Sequence, residues 1–512
     1  MKKLILLVSL LSFSMHSQNV TVNSGRSFTI QSTSSLTVGG NFTNTAGTVT
    51  LNSSSDEFSS LLVSGASSGD ITYNRYVNIV GTGDWDLVGA PVSGMAFSSL
   101  ITDANIATNG SGVYAVGAYD NSLDTWTNAT NATTGDLALG QGYQMATTNG
   151  GTLSFTGAIA NGDQSVIINN NNAANSGSGR RWNLIANPFA SYLHGNTNAD
   201  GTNNFLTVNT AAIDDNFEAI YGWKADGTGY EIYNNSSTTT YIAPGQGFFV
   251  AAAGSGADQT ISFTQAMQTV TGADDFISGR IMNPTSSEFL LKLYEDEILI
   301  DNTRFYFDND LTLGLDPGYD AGHFNQDAPL MSRLVEEDEG IGFAINAMGS
   351  DALGGVSIPL EVNQLSNVPF RISLEDSSIA PDIEVQLEDR LLETLTLLND
   401  EDFTLTAEDD LIGIGRFYLH LGNVTLGVND PEDSYVRVYK PNNSDYIAIE
   451  GLVNIQKARI KLYNLIGQEI IHKVLSNNQT NYRISTQGIP QGVYVIKLQF
   501  ENSKITKKLI IN

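Results

Sequence analysis

Apolar and polar residues alternate with a period of two, in short runs, over most of this chain. In Val493–Phe500, Tyr494, Ile496, Leu498 and Phe500 fall on one face, and Val493, Val495, Lys497 and Gln499 on the other. Arg459–Tyr463 repeats the pattern, with Ile460 and Leu462 opposite Arg459, Lys461 and Tyr463; Ile447 and Ile449 continue it. Half-buried antiparallel strands alternate in this way. Turn signals separate the runs at Pro441-Asn442-Asn443, Ile466-Gly467-Gln468, Asn477-Asn478 and Pro490-Gln491-Gly492. Few windows carry a helical period. The pattern predicts an all-β, multi-domain chain whose end, 434–512, is a small immunoglobulin-like sandwich of about six or seven strands.

Upstream the pattern changes in steps. Met1–Gln18 reads as a secretory signal peptide, with Lys2 and Lys3 before the apolar run Leu4–Leu11 and Ser17 at the cleavage point. That run is too short to span a bilayer, and no later stretch is long and apolar enough to do so. Residues 19–69 carry short strands at irregular spacing, Val20-Thr21-Val22, Leu36-Thr37-Val38 and Val49-Thr50-Leu51 among them. They predict a short β-solenoid-like start, with a loose meander as the plainer reading. Two similar stretches follow. Trp85-Asp86-Leu87-Val88-Gly89-Ala90-Pro91 matches Trp182-Asn183-Leu184-Ile185-Ala186-Asn187-Pro188, and Leu139-Gly140-Gln141-Gly142-Tyr143 matches Pro244-Gly245-Gln246-Gly247-Phe248. Ala118-Tyr119 matches Gly222-Trp223, and Trp126 matches Tyr230. Residues 70–170 and 171–271 are therefore expected to be two sandwich-like copies of one β module. Residues 272–430 form an acidic stretch whose alternation predicts a further β-sandwich.

Charge and composition narrow the chemistry. The chain has 512 residues, no cysteine and a formal net charge of −30. Disulfides, cysteine nucleophiles, thiolate metal sites and an N-terminal lipidated cysteine are excluded. Acidic residues outnumber basic ones by 17 to 5 over 19–270 and by 34 to 7 over 271–433, whereas 434–512 holds 4 acidic and 11 basic residues. An acidic body argues against nucleic acid or an anionic membrane as partner. The basic end is a separate electrostatic unit.

No metal-ligand histidine pair, phosphate-binding loop or dinucleotide fingerprint is present. Gly65-Ala66-Ser67-Ser68-Gly69 matches the nucleophile-elbow pattern, but the following Asp70-Ile71-Thr72-Tyr73 alternates like a strand, where an elbow needs a helix. His420 reads as structural, flanked by Leu419 and Leu421. Asp308, Asp310, Asp316 and Asp320 share a glycine-containing loop. Their oxygens could ligate Ca²⁺, although the spacing is not that of an EF-hand; the plainer reading is that they fix turns. The best binding candidates are the matched aromatics, because aromatic faces stack on sugar rings and a tandem copy adds avidity. Trp85 and Trp182 sit in apolar strands and read as core anchors. Trp126 and Trp223 border polar loops, and with Tyr119 and Tyr230 they are the predicted ligand-binding residues.

The end of the chain also resembles a known family. Leu462-Tyr463-Asn464 with Gly467, Gly492-Val493-Tyr494, and the terminal Lys504 with Lys507-Lys508-Leu509-Ile510-Ile511 are similar to the type A sorting domain of type IX secretion cargo. Tyr439-Lys440-Pro441-Asn442-Asn443 departs from that family's Tyr-Pro-Asn-Pro. The resemblance implies a sorting signal carried by Gly467, Gly492, Tyr494, Lys507 and Lys508. It implies passage through the periplasm and across a Gram-negative outer membrane by the type IX machinery. It further implies removal of the tail by a sortase-like peptidase, then covalent attachment to surface lipopolysaccharide or release. Leu315–Ala321 and Val385–Asp389 resemble a β module often found upstream of such tails, which bears on fold alone. The expected protein is a non-enzymatic surface or released protein that binds polysaccharide or matrix protein. The alternatives are a polymer hydrolase using acidic residues and a structural coat component.

Overall fold

The computed structural model describes residues 14–81, 85–171, 178–224, 229–254, 256–272, 274–275, 287–422, 436–441, 444–452, 457–475, 479–500 and 503–511. Residues 1–13 of the expected signal peptide, the 430/434 boundary and the Asn442-Asn443 and Asn477-Asn478 turns lie outside them. The chain divides into two compact units, Met1–Ile281 and Met282–Asn512.

The first unit begins with three rungs of parallel β-solenoid. They are β1 (Ser14–Ser17, inside the expected signal peptide), β2 (Val20–Asn23) and β3 (Ser27–Ile30); β4 (Ser35–Val38), β5 (Phe42–Thr45) and β6 (Thr48–Asn52); and β7 (Ser60–Val63), β8 (Ser67–Ser68) and β9 (Asp70–Val77). Each face is a parallel ladder, β1-β4-β7, β2-β5-β8 and β3-β6-β9. Val38, Phe42, Leu51 and Leu61 point inward and are almost fully buried, so each rung shields the next. At one corner Asn19 Oδ1 accepts from the Asn41 N–H, and Asn41 Oδ1 from the Ala66 N–H, both at 2.9 Å or less. One side chain per rung thus satisfies the turn above it. Ser67 and Ser68 of the elbow-like motif lie in β8, with no helix after them.

The solenoid runs on through Val77, past the expected boundary at 69. β9 pairs in parallel with β6 and antiparallel with β14 (Gly151–Ala158). One strand therefore serves both parts, and one core joins Val38 and Leu51 to Val88 and Met145.

Two four-stranded sheets follow. The first uses β10 (Asp86–Val88), β11 (Val113–Asp120), β12 (Thr125–Thr130) and β13 (Tyr143–Met145), in the order β10-β13-β11-β12, and is followed by β14. After β15 (Gln164–Asn169), the second uses β16 (Trp182–Ala186), then β17 (Tyr192–His194) elsewhere, β18 (Ile220–Trp223), β19 (Tyr230–Tyr233), β20 (Tyr241–Ile242) elsewhere, and β21 (Gly247–Ala251). Its order is β16-β21-β18-β19. β22 (Asp258–Phe263) pairs with β15 as β14 pairs with β9. The remaining short strands, β17, β20 and β23 (Gln268–Thr269), form a small sheet of their own.

In the second unit the acidic stretch forms one eleven-stranded, nearly closed, barrel-like sheet instead of two stacked sheets. Ser287–Glu295 lies within it, between Ile298–Phe307 and Pro369–Glu375. Phe289, Phe305, Ile358, Leu387 and Leu419 fill its interior. Alternation and turns are the same for a curled sheet and a sandwich, which is why the sequence suggested the latter. The chain ends in two packed sheets. One orders Arg437–Tyr439, Tyr446–Glu450 and Tyr482–Ser485; the other orders Glu469–Leu475, Ala458–Asn464, Gly492–Phe500 and Ser503–Ile511. Ile447, Ile460, Leu462, Ile496 and Leu498 form their shared core, the seven-stranded sandwich that the alternation predicts. Among the described residues no helix is long and apolar enough to cross a membrane.

Candidate binding face

The four predicted aromatics come together. On the first sheet Tyr119 faces Trp126 in register across the β11–β12 hairpin, and on the second Trp223 faces Tyr230 across β18–β19. Asp120 fixes the first hairpin, its Oδ1 accepting from the Ser122 N–H at 2.9 Å and from its hydroxyl at 2.6 Å. Ring centroids are 5.2 Å apart for Tyr119–Trp126 and 5.0 Å for Trp223–Tyr230. Phe249 of β21 joins the pairs. Its ring lies 5.2 Å from Tyr119, 6.1 Å from Trp126 and 5.9 Å from Tyr230, each edge-on. Such edge-to-face contacts hold aromatic rings at defined angles.

Trp126 remains 39% exposed, and Leu123 and Ile167 are exposed as well. Beside Tyr119 opens a cleft of about 230 Å³, lined by Asp120, Asn121, Gln141, Ile167, Asn183 and Leu184 among others. Its amides are interlinked. Asn121 Nδ2 donates to Asn169 Oδ1 at 2.9 Å and to Asn183 Oδ1 at 3.2 Å, and Asn171 Nδ2 donates to Asn121 Oδ1 at 2.9 Å. The Tyr119 hydroxyl donates to Asp124 Oδ1 at 2.7 Å. Burial, reinforced by that bond, holds the Tyr119 phenol well above its ordinary pKa, and burial does the same to Tyr230. Both stay neutral at any physiological pH.

The other two tryptophans are held in packing. Trp182 is 1% exposed and lies 4.6 Å from Tyr221 and 5.5 Å from Phe217. Trp85 packs on Ala107, Ala115 and Ala146. Phe249 escaped sequence reasoning because Phe248 was the residue matched to Tyr143. Strand alternation held the signal: with Phe248 inward, Phe249 must face the opposite side.

The four aspartates of the second unit do not converge. Asp316 Oδ2 accepts from the Thr312 N–H at 2.7 Å and Asp308 Oδ1 from the Asp310 N–H at 3.3 Å. Asp320 is fully buried, its carboxylate accepting from the N–H groups of Asp316 and Ala347, each at 2.7 Å. Among the described residues no group of three or more acidic or histidine side chains could hold a metal ion. His420 is buried, with Nε2 3.0 Å from Glu388 Oε2.

In the C-terminal sandwich Gly467 occupies a turn at φ 82°, where a side chain would be strained. Gly492 opens the strand on which Tyr494 is buried, its hydroxyl donating to the Pro490 carbonyl at 2.7 Å. Lys507 and Lys508 are exposed on Ser503–Ile511, the last strand in its sheet.

Residues 438–512 match the secretion system C-terminal sorting domain, on the strands just described. Residues 7–420 match a domain of unknown function, DUF8693. The chain belongs to the DUF8693 family. This DUF8693 protein is thus a type IX secretion cargo, exported to the cell surface or extracellular space by that machinery. No curated protein matches it.

Proposed function

We propose that this DUF8693 protein is an exported, non-enzymatic binding protein whose body holds a neutral polysaccharide on the aromatic face. The observation that carries the reading is the convergence of Tyr119, Trp126 and Tyr230 on Phe249, with Trp223 packed against Tyr230 and Trp126 open to solvent. Sugar rings present apolar C–H faces that stack on such rings, while their hydroxyls match neighbouring amides and carboxylates. The acidic charge of the body disfavours polyanions and so favours an uncharged glycan. The common strand order of the two sheets supports tandem copies of one module, which have merged their aromatic hairpins into one face. The sorting domain delivers this body, and its tail is removed before surface attachment through lipopolysaccharide or release.

The test is binding of the exported protein to an array of neutral and acidic polysaccharides and matrix proteins. Retention on a neutral glycan is expected, with at least a tenfold loss in Trp126→Ala and an unchanged fold by circular dichroism. Silence across the array would sink the binding reading. Export is tested separately: a chain truncated at Ser434 should accumulate in the periplasm, and its normal surface display would remove the sorting role.

A further inference from the structure

The second unit contains a charged socket that neither polysaccharide binding nor strand pairing requires. Arg333, only 2% exposed, projects from the strand Leu330–Ser332 end of the eleven-stranded sheet. Asp338 Oδ1, in the loop that follows, accepts from its Nε at 3.1 Å, and Glu361 Oε2, on the strand Val356–Val362, from its Nη1 at 2.9 Å. The sorting domain completes the shell. The Tyr439 hydroxyl accepts from Arg333 Nη2 at 3.2 Å and donates onward to Glu450 Oε1 at 2.9 Å, while Glu450 Oε2 lies 3.7 Å from Nη2. Burial opposes the Arg333 charge, but Asp338, Tyr439, Glu361 and Glu450 together hold its pKa well above normal. Burial pushes the Glu450 carboxyl up, with Arg333 pulling it back down.

The backbone is shaped to this contact. Gly340 sits at φ 86°, and a Cβ there would collide with the Tyr439 ring. Arg437 Nη2 donates to the Val335 carbonyl at 3.0 Å. A second contact lies apart from the socket: Asn481 Nδ2 donates to the Ile412 carbonyl at 2.8 Å, and a Cβ on Gly415 would come within 2.6 Å of the Gly451 Cα. Two separate attachments, one of them a desolvated charge network, fix the orientation of a partner and slow its departure.

We propose that this face of the eleven-stranded sheet is a docking surface for the chain's own sorting domain. The two stay bound without a covalent link, so that cutting between them does not by itself separate tail from body. The sorting domain then reaches the export machinery with its docked side covered and its edge strand Ser503–Ile511 available. Release becomes a distinct step after cleavage.

The experiment uses the full chain with a specific protease site placed within 423–435. After complete cutting, body and sorting domain should co-elute on size exclusion at micromolar concentration. Elution as two separate species would overturn the proposal. Tyr439→Ala should speed dissociation of the cut tail at least tenfold, with the thermal transitions of both parts retained. Gly340→Leu, which fills the Tyr439 seat from the other side, should do the same. Dissociation unchanged in both variants would show that the socket does not hold the tail.

Discussion

Val88 forms an antiparallel bridge with Gln246, joining the first four-stranded sheet to the second. Its counterpart Ile185 bridges Gln141 in return. The reciprocity extends to hydrogen bonds: the Gly89 N–H donates to the Gly245 carbonyl and the Ala186 N–H to the Gly140 carbonyl, both at 2.9 Å. Each Gly-Gln-Gly turn therefore seats on the apolar strand of the other sheet, in the crosswise manner of an isologous pair. The two signatures that match along the sequence are the two halves of one interface.

That interface leaves no room for a side chain at Gly89, Gly142, Gly245 or Gly247. A Cβ on Gly247 would lie 2.6 Å from the Leu87 carbonyl carbon, which is backbone and cannot swing aside. Gly247→Val is expected to destabilise the first unit by about 1–3 kcal/mol, the usual cost of overpacking. Gly201→Ala, where a Cβ meets nothing, is the control and should stay within about 0.5 kcal/mol of the parent. Urea unfolding followed by tryptophan fluorescence measures both.

The tryptophans should divide by role. Trp182→Ala removes a buried ring and is expected to cost about 3–5 kcal/mol. Trp126→Ala should leave stability within about 1 kcal/mol, since its ring is partly in solvent, and lose the glycan. Thermal unfolding beside glycan retention separates the two. A Trp126→Ala protein as unstable as Trp182→Ala would mean that the face is packing alone.

The sequence showed the strands, the solenoid and the sorting domain because alternation and turn residues act locally. It also showed the four aromatics, since the two similar stretches put Tyr119 beside Trp223 and Trp126 beside Tyr230. It did not show that Tyr119, Trp126 and Tyr230 meet at Phe249, with Trp223 joined through Tyr230, because that depends on how one sheet crosses the other. Nor did it separate a curled sheet from a sandwich, as closure is decided by strand order. Asp308, Asp310, Asp316 and Asp320 look like one cluster along the chain, but hydrogen bonds to backbone N–H groups tie them into two local pairs, Asp308 with Asp310 and Asp316 with Asp320. Arg333 gave no signal at all, because its partners are scattered from Asp338 to Glu450.

Asp320 should make the stability of the second unit depend on pH. Burial pushes its carboxyl up to about 8, against the backbone N–H groups that favour its charge. A raised carboxyl keeps a proton that the unfolded chain gives up near pH 4, so this contribution is full below that point. It is lost as pH rises toward about 8 and is constant beyond. Asp320→Asn removes the slope while keeping the shape. The stability advantage of the parent over Asp320→Asn should therefore shrink between pH 5 and pH 9, as read by denaturant midpoints. An advantage that grows over that range would show that the carboxylate is the favoured form.

The buried pair Arg75–Asp275 in the first unit sets a sharper test of the same logic. Arg75 Nη2 lies 2.7 Å from Asp275 Oδ2, both side chains are 2% exposed, and the guanidinium stacks 4.1 Å from the Phe58 ring centroid. Burial pushes the Asp275 carboxyl up to about 7, and Arg75 works against that shift. Removing Arg75 alone strands a buried carboxylate and is expected to cost about 3–5 kcal/mol near neutral pH. Without its cation the carboxyl must rise further, so the folded Arg75→Met protein takes up a proton where the unfolded chain has none. Its deficit should therefore be larger at pH 8 than at pH 5, because proton uptake by the folded form is favoured only at the lower pH. Arg75→Met combined with Asp275→Leu removes both charges and should cost less than the sum of the single changes. Unfolding of the four proteins at the two pH values closes the cycle. Additive costs, or an Arg75→Met deficit that does not change with pH, would show that the two side chains are not coupled as an ion pair.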